Sequence, residues 1–314
     1  MFLDVQDREH YGIPTGIAQY GGYIRDSLKR PYRPAQFVRA VDRLVRLMYW
    51  YPFAVPLVAP AVFRLMIRVK GDKVLTDGHA SLVRARHAFR YLPSAPRCKL
   101  CNNPFGGPAG RLFAAAGFRP SRKNPNLCER CCDTLPRGGA EVDIAVLFAD
   151  VRGSTALGNH RAAAEFAALL NRFYREATQT LLRHDAVIDK LIGDEVMAFF
   201  VQGISGPRYR HRAVAAGVDL LKAVGYGTPD GPWLDVGVAV NAGVAYVGNV
   251  GGAVIDFTAL GNPVNAAARM QQHAAGGELL VARGVADELA ANMRPRTLNL
   301  RGQERPVNVF VRQM

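Results

Sequence analysis

The chain has 314 residues, 49% of them apolar and 21% charged. This is a globular composition that excludes a disordered tail, a collagen-like fibre and a disulfide miniprotein. The net charge of +14 is lopsided: residues 1–140 hold 23 Lys+Arg against 9 Asp+Glu, while residues 141–314 hold 17 of each. Such asymmetry points to a first part that meets something anionic or folds around a cofactor, and a second part that does the chemistry.

Residues 1–34 read as an irregular arm. Asp4, Asp7, Arg8 and Glu9 break up the first ten residues, unlike a signal peptide, so a cytoplasmic protein is expected. From Ala35 the pattern changes. Phe37, Val38, Val41, Leu44, Val45 and Met48 recur at helical spacing between Arg39, Asp42, Arg43 and Arg46, which predicts a basic amphipathic helix. Leu47–Phe63 is a run of 17 residues without a charge, broken by Pro52, Pro56 and Pro60. A spanning helix needs about 20 apolar residues. Three readings stay open: a buried hairpin against a partner chain, peripheral membrane contact through residues 35–63, or a single span. Residues 64–97 read as helical and basic, with Arg84, Arg86, His87 and Arg90 expected on a solvated face. No aromatic-interleaved recognition motif accompanies the charge, so nucleic acid is not an expected partner.

All five cysteines lie between Cys98 and Cys132. Cys98-x2-Cys101 and Cys128-x2-Cys131 supply four thiolates, the ligand set of a tetrahedral structural Zn²⁺ site, with an iron–sulfur cluster as the alternative. The turn-rich stretch after Cys101 lets the backbone fold around a small ion. Four Cys ligands leave no open position, so a structural staple is expected rather than a catalytic metal. Residues 135–139 read as a linker.

The texture after residue 140 is that of an α+β sandwich. Strands are predicted at Val142–Ala149, Val187–Lys190, Val196–Val201, Leu234–Asn241, Ala245–Asn249, Val254–Ala259, Leu279–Ala282, Thr297–Leu300 and Val307–Val311. Helices are predicted at Arg161–Arg183, Arg208–Val224 and Pro263–His273, the last with Pro in its first turn where a missing N–H costs nothing.

Three segments carry chemistry. In the first, a hydrophobic strand ends at Asp150 and runs into a small turn, Val151-Arg152-Gly153-Ser154-Thr155, whose amides can cradle phosphate. In the second, Asp194 sits at a Gly turn after Asp189 and Lys190. If the two strands lie side by side, Asp150 and Asp194 converge on a hard-cation site. In the third, Asn265 and Arg269 are four apart on one helix face, suited to a sugar hydroxyl and to developing phosphate charge.

The blocks FADVRGST, DKLIGDEVMAFF, VNAGVAYVGNVG and DFTALGNPVNAAARM, in this order and spacing, resemble the class III adenylate and guanylate cyclase catalytic domain. The resemblance covers about residues 140–314. It implies a ferredoxin-like α/β sandwich, preceded by a basic, mainly helical region at 1–97 and a Cys-rich segment and linker at 98–139. It implies that Asp150, Asp194 and the Val151 carbonyl hold two Mg²⁺ or Mn²⁺ ions, and that the Arg152–Thr155 turn holds phosphates. Lys190 and Thr258 fall at the purine-reading positions. That pair points to ATP, since guanylate cyclases place a glutamate and tend to have a cysteine there. Asn265 matches the residue that orients the ribose and Arg269 the one that stabilises the transition state. Arg301 falls where the family has a phosphate-binding lysine.

The resemblance also implies that Lys190 and Asp194 serve two different sites across a two-fold axis, hence a homodimer with two shared sites and an inactive monomer. Ser154 stands where the family often has Phe, and Val254-Ile255 where a basic residue often precedes the Asp-aromatic-Thr block. Neither departure removes a catalytic group. The expected activity is adenylate cyclase, regulated by the N-terminal part. A guanylate cyclase and a catalytically silent nucleotide sensor are the alternatives.

Overall fold

The computed structural model describes residues 71–314 apart from 79, 93–95, 123, 136–138, 253–254, 287–292 and 303–304. The basic helix expected from Ala35 and the apolar run Leu47–Phe63 lie outside the described residues. Among the described residues no helix is long and apolar enough to cross a membrane.

Four short helices come first: α1 Gly71–Thr76, α2 Ala80–Phe89, α3 Gly107–Phe113, which continues into a π turn at Ala114–Phe118, and α4 Glu129–Thr134. Then come β1 Gly139–Val151, α5 Ser154–Asn159, α6 Ala163–Arg183, β2 Val187–Ile192, β3 Glu195–Val201, α7 Gln202–Ser205 and α8 Tyr209–Ala223. The chain ends with β4 Val236–Gly251, β5 Ile255–Leu260, α9 Asn262–Gln271, β6 Glu278–Ala282, α10 Arg283–Ala286, β7 Arg294–Leu298 and β8 Val307–Gln313.

The strands form one eight-stranded sheet in the order β2-β3-β1-β4-β6-β8-β7, with β5 paired to the far end of β4. Neighbours β2, β3, β1 and β4 are all antiparallel, which is the ferredoxin-like arrangement of two crossed βαβ units expected from the sequence. β1 is apolar on both faces. Ala145, Leu147 and Ala149 pack with Phe173 and Leu181 of α6 and Val214 and Leu221 of α8. Ile144, Val146 and Phe148 face the opposite side, where Phe257, Val264 and the four cysteines share a second core. A strand covered on both faces is read as a continuous hydrophobic run, and that is how its sequence looks.

β1 and β4 depart most from the predicted strand bounds. β1 starts at Gly139 because it pairs along its whole length with β4, from Gly139↔Gly248 to Val151↔Val236. Gly139, which read as the end of a linker, is a close strand approach: a Cβ there would fall 2.5 Å from the Val247 carbonyl oxygen. β4 joins two predicted strands into one, since Gly243 carries the ladder through rather than ending it.

The basic α2 corrects a second expectation. Arg86 is fully buried instead of solvated. Its guanidinium donates to the carbonyls of Lys99 at 3.1 Å, Leu100 at 2.5 Å and Ala186 at 2.6 Å. Desolvation lowers its pKa, against the pull of Asp185 and the cysteines. The planar fork thus ties the first cysteine knuckle to the residue that precedes β2. Arg86→Met would leave three carbonyls without this donor, each loss costing about 1–3 kcal/mol. A drop of about 3 kcal/mol or more is expected in urea-unfolding stability.

Candidate active site

Strand pairing sets the carboxylates. Asp150, near the end of β1, pairs with Glu195 at the start of β3, and the Val151 amide donates to the Asp194 carbonyl at 3.3 Å. Asp150 and Asp194 therefore converge, as the sequence predicts, and Glu195 joins them. Burial pushes the Asp150 carboxyl up, and nearby Asp194 adds to this against the pull of Gln271 and Arg152. Burial, then Asp150 and Asp194, push Glu195 up to about 6. Asp150 and Asp194 bring hard oxygen donors, of the kind a divalent cation takes, to this end of the strands.

The turn that follows is built on Gly153, whose φ of 67° is left-handed. Ser154 is half-buried and Thr155 exposed at the start of α5. The Arg152 guanidinium does not lie free in this turn: it pairs with Asp150 and reaches the Ala274 carbonyl at 3.3 Å. At the other turn, Gly193 also takes a left-handed φ of 61°, and the Tyr174 hydroxyl donates to its carbonyl.

The second group is on β2 and β5. Lys190 Nζ donates to Thr258 Oγ1 at 3.1 Å. Thr258 donates to Asp189 Oδ2 at 2.7 Å, and the Ala259 amide donates to the same oxygen at 3.3 Å. Burial pushes the Asp189 carboxyl up, while Thr258, Lys99 and Lys190 pull it back down. Lys99, inside the first cysteine knuckle, lies 2.8 Å from Asp256 Oδ1 and 3.6 Å from Asp189 Oδ1.

The third group is on α9, held down by Val264, Ala266, Ala267 and Met270. Asn265 is exposed and Arg269 half-buried. The Arg269 guanidinium lies over Gly302, where a Cβ would come within 3.3 Å of Nη1. The exposed Arg301 is therefore in the turn beside Arg269.

The four cysteines Cys98, Cys101, Cys128 and Cys131 are buried and their Sγ atoms all lie within 4.8 Å of one another. Cys101 and Cys128 sulfurs are 3.8 Å apart, and the Cys128 amide donates to Cys98 Sγ at 3.3 Å. Bonds of about 2.3 Å to a tetrahedral zinc ion space sulfurs by about 3.8 Å. The cluster suits one ion. Cys132 is only partly buried and lies outside the cluster.

A protein-family model described as the adenylate and guanylate cyclase catalytic domain matches residues 140–312. The chain belongs to this family. The cyclase domain is also similar in structure to the guanylyl cyclase Cya2, at 25% identity and a TM-score of 0.50, over 55% of this chain and 93% of that one. The adenylyl cyclase CyaB of P. aeruginosa is similar at 28% identity and a TM-score of 0.48, over 55% and 94%. Among curated sequences, the uncharacterized proteins Rv1319c and Rv1320c of Mycobacterium tuberculosis are 30% and 31% identical over 252 residues, 77% of this chain. The chain spans 44% and 41% of their lengths, less than half of each.

Several residues near the candidate site were not singled out from sequence. Asp189 and Glu195 stood in a quoted block without a role. Lys99 and Tyr174 come from elements far along the chain, and only the fold shows that they reach the two groups.

Proposed function

We propose that the cyclase domain is an adenylate cyclase, converting ATP to 3′,5′-cyclic AMP and pyrophosphate. The contact between Lys190 Nζ and Thr258 Oγ1, 3.1 Å long, carries this reading. It joins a donor suited to adenine N1 and a hydroxyl suited to the N6 amino group. The test is product formation from ATP and GTP offered separately to the full chain, with Mn²⁺ and then Mg²⁺. Cyclic AMP from ATP, with little cyclic GMP from GTP, is expected. The guanylyl cyclase neighbour favours the other nucleotide, and cyclic GMP as the main product would select that reading.

Asp150, Asp194 and the Val151 carbonyl would hold two Mg²⁺ or Mn²⁺ ions. Bound there, such ions lower the pKa of the ribose 3′-hydroxyl and neutralise the triphosphate. The chain's own groups do the rest. The Arg152-Gly153-Ser154-Thr155 turn holds phosphate oxygens, Lys190 and Thr258 orient the base, and Asn265 orients the ribose. The 3′-hydroxyl releases its proton to water, its oxygen bonds to the α-phosphorus, and the bond from that phosphorus to pyrophosphate breaks. Arg269 and Arg301 offset the charge that moves onto the phosphate oxygens. Arg269→Ala is expected to lower kcat about 10²–10³-fold with a smaller change in KM for ATP, measured by initial rates.

A homodimer with shared sites is part of the proposal. Exposed apolar side chains on the strands that bear the site, Leu191, Ile192, Val244 and Leu260, support it. One Zn²⁺ in the four-cysteine cluster, acting as a staple, is a further part. An iron–sulfur core would have to fit inside the same 4.8 Å span, which favours the single ion. The region before residue 140 then serves as a regulatory or docking module.

A further inference from the structure

The cysteine segment touches the purine-reading strands in a way that bears on base choice. Thr258 is 3% exposed and its hydroxyl sits between Asp189 and Lys190. An ionised carboxylate can only accept and an ammonium can only donate. The threonine proton is therefore committed to Asp189 Oδ2, 2.7 Å away, and Lys190 takes one lone pair at 3.1 Å. The hydrogen-bonding capacity left on Oγ1 is that of an acceptor.

Asp189 is itself held. Its side chain is 0% exposed and faces Lys99 Nζ at 3.6 Å. Lys99 stands between Cys98 and Cys101, and its backbone is tied down on both sides: its amide donates to the Asn126 carbonyl at 2.9 Å and its carbonyl accepts from Arg86 at 3.1 Å. Its ammonium also bonds Asp256 at 2.8 Å and the Phe257 carbonyl at 3.3 Å. Asn126, from the loop before Cys128, donates to Asp256 at 2.8 Å. Asn124 of the same loop donates to Asn249 of β4 at 2.9 Å.

We infer that Asp189, held by Lys99 of the cysteine knuckle, is a specificity-determining positioning residue: it fixes the Thr258 hydroxyl as an acceptor and so selects adenine over guanine. Adenine presents an N6 amino donor to such an oxygen, while guanine presents the O6 acceptor. A lone pair facing O6 leaves two acceptors opposed, the kind of buried mismatch that discriminates strongly. The knuckle thus acts on nucleotide choice without touching the nucleotide. The inference rests on the adenylate reading and adds to it the group that orients the hydroxyl.

Two changes free the hydroxyl. Asp189→Asn keeps the size but can turn its amide N–H₂ toward Oγ1, releasing the threonine proton. The double change Lys99→Met with Asp189→Leu removes both charges, so neither is left alone in the interior. The measurement is the ratio of kcat/KM for ATP to that for GTP. Alongside it, ATP and GTP compete for binding of a fluorescent ATP analogue, and zinc content shows whether the knuckle is intact. Both variants are expected to lower the ATP preference about tenfold or more, in turnover and in competition. Lys99→Arg, which keeps the cation, is expected to retain the wild-type ratio.

An ATP-preferring wild type whose ratio is unchanged in both variants overturns this inference alone. A wild type that prefers GTP overturns it together with the adenylate reading. A wild type that forms no product leaves the competition ratios to decide: a drop in the variants supports the inference and an unchanged ratio overturns it.

Discussion

Asp194→Ala is expected to lower cyclic nucleotide formation at least ~10³-fold, because the carboxylates at the end of β1 and at the β2–β3 turn are the charged donors proposed for both cations. The side chain is at a turn and partly exposed, so its loss leaves no cavity in either core. The variant should unfold at the wild-type urea midpoint and keep its oligomeric state. It should also relieve the crowding that pushes Glu195 up to about 6, since Asp194 is one of the charges responsible. The check is an initial-rate assay with ATP and Mn²⁺, beside an unfolding curve of the same preparation. Retained activity in a folded Asp194→Ala protein would remove Asp194 from the metal site.

Cys101→Ser is expected to have the largest effect on stability. Bound zinc in small cysteine sites contributes about 10–16 kcal/mol of apparent binding free energy, which is also folding free energy. Cys98, Cys101, Cys128 and Cys131 belong to the same core as Ile144, Val146 and Phe148 of the central strand. Loss of the ion therefore exposes one face of the sheet rather than a detached appendage. Elemental analysis of the wild type should find about one zinc per chain, and the variant little or none. The melting temperature of the variant should fall by more than 10 °C, since a loss of 1 kcal/mol lowers it by about 2–4 °C at this size. Cys132→Ser, outside the cluster, should keep the metal and the melting temperature.

The candidate site could be proposed from the sequence because its side chains lie in blocks whose internal spacing the strands and turns preserve. Asp150 and Asp194 meet because β1 and β3 pair, and both strands announce themselves by unbroken apolar runs. The knuckle spacing foretold a four-sulfur cluster. What could not be read were interactions set by the path of the whole chain. Lys99 and Asp256 are 157 residues apart, and Arg86 and Ala186 are 100 apart. A run of arginines at helical spacing looks the same whether its partners are water or backbone carbonyls, so Arg86 read as solvated. Glycine misled twice within a continuous ladder: Gly139 is a close approach to the β4 backbone, and Gly243 leaves room for the Pro263 ring.

The most direct test of the account is a mixing experiment. Asp194→Ala and Arg269→Ala chains, each nearly inactive, are combined in equal amounts and allowed to exchange subunits, and cyclic AMP formation from ATP is measured. In the proposed shared site, one chain supplies the metal ligands and the other supplies Lys190 and, with it, Arg269, so one site is intact in every mixed dimer. The account predicts recovery of roughly a quarter of wild-type activity, half the dimers being mixed and each carrying one good site of two. A mixture no more active than its two parents, with subunit exchange verified, would contradict it.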